Sequence, residues 1–164
     1  MKARILVWLV ALFCCHNVLF AQKEFVNASA RLSGHPRILL QKGEEKALKK
    51  VIMKDAVWKD IHQSLVDEAG EIVKLPLNER IKTGRRLLSV SRENLRRIFI
   101  LSYAYRMTGK NEFLKRAESE MLKAASFSDW NPSHFLDVGE MTMALAIGYD
   151  SVSYTHLRAH ETDS

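Results

Sequence analysis

From residue 44 onward, apolar side chains recur every three or four positions, the repeat of an α-helix with one face turned inward. The first such segment, residues 44–52, sets Glu44 and Glu45 early and Lys49 and Lys50 late, the order a helix macrodipole favours. A second follows Asp55, a natural N-cap, and carries Val57, Trp58, Ile61, Leu65 and Ile72 until Pro76 stops it. The third, capped by Ser91 and closed by Gly109, has almost no polar face. Leu95, Ile98, Phe99, Ile100, Leu101, Tyr103, Ala104 and Tyr105 surround its axis, while Arg92, Arg96, Arg97 and Arg106 stand near its ends. Asn111 is placed to cap a fourth, residues 112–125, with Phe113, Ala117, Met121 and Ala124 as its inward stripe. The turn Gly109-Lys110-Asn111 is short, which makes the third and fourth helices an antiparallel hairpin. A fifth helix over residues 137–149, capped by Asp137, is again apolar nearly throughout. No period-two alternation competes with these helices, so the expected fold class is all-α.

Nearly all-apolar helices alternate with amphipathic ones, as in two-layer helical architectures. Helical-repeat arrays and α/α toroids both show it, and no fixed repeat length selects the array. Ahead of the helices, His35-Pro36-Arg37-Ile38-Leu39-Leu40 reads as an extended lead segment, because Pro36 turns His35 away from helical geometry.

The first residues follow a different pattern. Lys2 and Arg4 precede an apolar run over residues 5–13, and Ala21 offers a cleavage point before Gln22, the layout of a signal peptide. The run is too short for a membrane-spanning helix. Residues 1–21 are therefore expected to direct export to the periplasm or beyond and to leave no stable membrane insertion after cleavage, with residues 22–34 a polar lead-in. Phe13 beside Cys14 argues against a lipid anchor. Both cysteines lie in the leader, so the remaining chain forms no disulfide and depends on packing. The formal charge of +6 falls by two once Lys2 and Arg4 leave. That excess suits an acidic polysaccharide as well as it suits a plain solvated surface. Neither a zinc spacing nor an aromatic-interleaved basic stripe is present, which excludes the common nucleic-acid modules.

Candidate chemistry gathers just before the fifth helix. Trp130, Asn131 and His134 lie in a loop bearing Pro132, and Glu140 follows one turn into the helix. Indole faces stack on sugar rings, and Asn and His bond hydroxyls and carboxylates, so these four are the candidate substrate-binding residues. The structural alternative stands beside it: Trp130 plugs a gap between helices and Asp137 is only a cap. Arg85, Arg86 and Arg92 either grip an acidic glycan or form a solvated flank. His156 and His160 have the i, i+4 spacing of a zinc pair, but Glu161 follows the second histidine, so H-E-x-x-H is not made. No metal or cofactor is expected of this stretch of chain.

Several blocks together resemble the heparinase II/III-like polysaccharide lyases. His35-Pro36-Arg37-Ile38-Leu39-Leu40 is similar to the opening of their N-terminal region, and Leu101-Ser102-Tyr103-Ala104-Tyr105-Arg106-Met107-Thr108-Gly109 to their first helical pair. The most specific block runs from Asp129-Trp130-Asn131-Pro132-Ser133-His134-Phe135-Leu136-Asp137 to Gly148-Tyr149-Asp150. The resemblance spans residues 35–150 and implies the start of an incomplete α/α toroid in an enzyme that cleaves uronic-acid polysaccharide by β-elimination. That reaction neutralises the uronate carboxylate, removes the C5 proton and protonates the leaving oxygen. The family's catalytic residues come from later segments, and none maps onto this chain. After Asp150 the pattern departs from the family, so residues 151–164 are expected to be a non-native tail and the chain an inactive N-terminal fragment. Met141, Met143, Leu145 and Ile147 would then be partly exposed, and the fragment poorly soluble. A small exported helical-repeat or glycan-binding module without catalysis is the alternative.

Overall fold

Five α-helices form where the helical period placed them: α1 Glu45–Lys54, α2 Ala56–Lys74, α3 Leu88–Thr108, α4 Asn111–Ala125 and α5 Phe135–Gly148, followed by a π-turn, Tyr149–Ser153. These come from a computed structural model that describes residues 35–153. The expected signal peptide, the polar lead-in and the His156/His160 pair lie outside the described residues. Within them the fold is all-α. The only β-type pairing there is an isolated bridge between Thr83 and Arg86.

Local chemistry explains most of the boundaries. Asp55 caps α2 as expected, its Oδ1 accepting from the Val57 and Trp58 amides at 2.8 and 3.2 Å. Gly109 ends α3 at φ 73°, a left-handed conformation that costs glycine no Cβ clash. Three caps differ from expectation. α3 begins a turn before Ser91, at Leu88, and leaves the Ser91 hydroxyl buried without a hydrogen bond. Asn111 is already inside α4, where it makes no capping bond. Asp137 lies in the first turn of α5, not before it.

α3 is the central helix and packs against each of the other four. The main core cluster joins Ala69 and Ile72 of α2, Ile100, Leu101 and Ala104 of α3, and Phe113, Leu114 and Ala117 of α4. Val152, in the segment expected to be foreign, is fully buried in the same cluster. Gly148 lets α5 approach closely: a Cβ there would stand 2.5 Å from Met121 Sδ and 2.6 Å from Ile98 Cγ2. Met141 and Ile147 are buried, contrary to expectation, because α5 lies against α3 and α4; Met143 is exposed and Leu145 half-buried.

α3 and α4 also bury charge that the pattern had assigned to helix ends. Glu120 has a fully buried carboxylate, which accepts from Arg97 Nη1 at 3.1 Å and Arg116 Nη2 at 2.7 Å. Arg97 further donates to Glu93 and the Pro76 carbonyl, and Arg116 to the carbonyls of Val73 and Pro76. The two guanidinium groups thus stitch the end of α2 to the α3–α4 pair. At the other end of α3, Arg106 holds Glu45 and the carbonyls of Leu40 and Gln41. Asp150 holds the start of the described chain: its carboxylate meets the His35 ring and accepts from the Arg37 and Ile38 amides, both at 2.9 Å.

Candidate functional site

The loop between α4 and α5 meets the segment ahead of α3 at a polar clasp. Gly84, at φ 60°, reverses the chain so that Thr83 and Arg86 exchange two backbone hydrogen bonds, bringing Arg85, Arg86 and Leu87 to the clasp. Opposite them, Asp129 Oδ1 accepts from the Asn131 amide at 2.7 Å, closing a tight Asx turn, and also from Arg80 Nη2 at 2.6 Å. Asn131 is buried at φ 61°, a left-handed conformation that asparagine tolerates better than most residues.

Asp137 is the centre of the clasp. Its fully buried carboxylate accepts from the Leu87 amide at 2.7 Å, Asn131 Nδ2 at 2.7 Å and Arg86 Nη2 at 2.9 Å. Burial alone would push this carboxyl up; the hydrogen bonds from Asn131, Leu87 and Arg86 outweigh it and hold the group down at about 2. Its place in the first turn of α5 adds a favourable interaction with the helix dipole.

The four residues singled out as substrate-binding therefore have structural partners. Asn131 donates from Nδ2 to the Arg85 carbonyl and to Asp137, and its Oδ1 faces Lys82 Nζ at 3.4 Å. It braces two segments. Trp130 is half-buried and donates from its indole to the Ala124 carbonyl at 2.9 Å, satisfying an acceptor in the last turn of α4. Glu140 accepts from Arg92 Nε with both oxygens, at 3.0 and 3.1 Å, and among the described residues no hydrogen bond links it to the other three. His134 is half-buried with Nδ1 3.3 Å from Asn131 Nδ2 and 3.0 Å from Ser133 Oγ. Both Asn131 amide hydrogens go to the Arg85 carbonyl and Asp137, so the Ser133 hydroxyl is the ring's nearer hydrogen-bonding partner. Of the arginines weighed as glycan grips, Arg86 and Arg92 are ion-paired with Asp137 and Glu140, while Arg85 remains exposed.

Among the described residues, cavities lie elsewhere that were not foreseen, two of which matter here. One is an open apolar cleft of about 220 Å³ among Leu39, Leu48, Phe99, Tyr103 and Ile147, with the unbonded Ser102 hydroxyl on its wall. The other is an open groove of about 430 Å³ between α1 and α2, lined by Lys49, Ile52, Met53, Lys59, His62 and Gln63 and mostly apolar in surface. His62 Nδ1 lies 2.9 Å from the Tyr103 hydroxyl, the two rings meeting edge to face with centroids 5.8 Å apart. Burial pushes the Tyr103 phenol up from its ordinary value, so it keeps its proton. The phenol hydroxyl, able to donate or accept, holds His62 by Nδ1 and leaves Nε2 as the ring's other polar atom. Among the described residues, no group of three or more His, Cys, Asp or Glu side chains could hold a metal ion. No described helix is long and apolar enough to cross a membrane.

No protein-family model matches this chain, and no curated protein matches it. Only part of the signal for the groove lay in the sequence. Lysines crowd α1 and the start of α2, whereas the arginines fall mainly on α3 and its neighbours.

Proposed function

We propose that the chain is the N-terminal helical part of an exported polysaccharide lyase, the start of an α/α toroid. Its enzyme would cleave uronic-acid polysaccharide by β-elimination. In this reading the described helices contribute binding of the acidic chain, and the groups that move the C5 proton lie in other segments. The observation that carries the reading is the way the blocks resembling the heparinase II/III-like lyases depend on one another. Asp150, the last residue of the resemblance, clasps His35, Arg37 and Ile38, its first. The Asp129–Asp137 block likewise closes on the start of α3 through Leu87. Blocks so coupled form one folded unit, as the resemblance implies for the start of a toroid.

Affinity electrophoresis through polygalacturonate, alginate, heparin and dextran, with ultraviolet detection of unsaturated uronate, tests this reading. Retardation by at least one acidic glycan, none by dextran and no unsaturated product is the expected result. Equal mobility in all four gels would sink it.

A further inference from the structure

We infer that the groove between α1 and α2 is a subsite for one uronate residue, with Lys49 and Lys59 on its carboxylate and His62 hydrogen-bonding a ring hydroxyl. The inference rests on the acidic-polysaccharide reading above and assigns that ligand a place.

The argument begins with the partners these lysines lack. Glu45 stands four residues before Lys49 and Asp55 four before Lys59, the spacing at which helical ion pairs form. Both carboxylates are engaged elsewhere. Glu45 is held by Arg106 from α3, and Asp55 by the first amides of α2. Among the described residues, neither Lys49 nor Lys59 has an ion-pair partner, and both line the groove. Two lysines without an ion-pair partner thus line one concavity.

The imidazole beside them is oriented. The Tyr103 hydroxyl meets His62 Nδ1 at 2.9 Å, which fixes the ring, and His62 lines the groove. Gln63, on the same wall, is turned to Asp67 at 2.8 Å. The volume, about 430 Å³, suits a pyranose ring with its hydration and falls within the ~300–1,000 Å³ of small-ligand sites. Ile52 and Met53 supply the apolar surface that a sugar ring's C–H face covers. A lipid bilayer is the competing anionic surface. A bilayer is broad and flat, and a concavity with an oriented imidazole at its wall fits a ring better than a plane.

The test measures the affinity of the full chain for polygalacturonate by calorimetry at low and moderate salt, with the melting temperature of every variant as a folding check. Replacing both lysines (K49Q/K59Q) is expected to weaken binding about tenfold and to reduce its salt dependence. Replacing two α1 lysines outside the groove (K46Q/K50Q) removes the same charge and is expected to change affinity less than twofold. Equal losses in the two double variants would mean diffuse charge attraction and overturn the subsite. Unchanged binding in K49Q/K59Q would also overturn it while leaving the lyase reading intact. Loss of binding in W130A/H134A alone would return the site to the α4–α5 loop. Preference for phosphatidylglycerol vesicles over polygalacturonate would replace the glycan with a membrane, and no binding to any acidic glycan would remove both proposals.

Discussion

Positive charge is used differently around α3 than on the α1–α2 hairpin. Around α3 it is carried by guanidinium groups held by fixed acceptors: Arg97 by Glu93, Glu120 and a carbonyl, Arg116 by Glu120 and two carbonyls, Arg86 by Asp137. On the hairpin it is carried by ammonium groups that face water. Apolar surface is exposed there too: Met53 keeps 75% of its surface, and Val57, Trp58 and Ile61 are also exposed, where helical spacing had assigned these three to an inward stripe. The contrast follows from the two cations. A planar fork with five donors can replace its hydration by fixed carbonyls and carboxylates, whereas a compact ammonium on a flexible stem is more cheaply left in water. Arginine here builds the fold, and lysine dresses a surface.

The strongest way to break that contrast is to remove a carboxylate from the arginine side. Glu120→Ala leaves Arg97 and Arg116 without their shared buried partner, and a loss of about 3–5 kcal/mol is expected in urea unfolding. Asp137→Asn comes next, with an expected loss of about 2 kcal/mol from weakened charge-assisted hydrogen bonds. Asp137 also gives the contrast a pH signature. Its carboxyl is held at about 2 in the fold and near 4 in the unfolded chain, so its stabilisation is complete above pH 4 and fades as pH falls toward 2. Glu93, held at about 2 chiefly by its hydrogen bond from Arg96, acts in the same window. Stability measured from pH 5 to pH 2 should therefore fall less steeply in Asp137→Asn than in the parent chain, without becoming flat. The smallest effect is expected on the lysine side. K46Q/K50Q/K54Q should leave unfolding free energy within ~0.5 kcal/mol of the parent value. A loss comparable to that of Glu120→Ala would erase the distinction.

These charges also mark where sequence reasoning stopped. Helix existence was legible because Asp55 and Gly109 act through their immediate neighbours and the apolar period is local. Glu120 was legible in principle, since it shares the stripe of Phe113, Ala117 and Ala124 and so had to be buried. Its partner Arg97 lies on another helix, and spacing within one helix does not reveal such a pair. Asn131 shows the same limit at the candidate site. Its residue type and loop position fit sugar recognition, but the Arg85 carbonyl and Asp137 carboxylate that occupy its amide are brought there by tertiary structure. The groove between α1 and α2 required knowing that Glu45 turns to Arg106 instead of Lys49.

The Asp150 clasp sets the order in which the chain is able to mature. His35 and Asp150 are separated by 115 positions, so the lead segment has no anchor of this kind until almost all of the described chain has been made. The contact is thus among the last of the described fold that synthesis can complete.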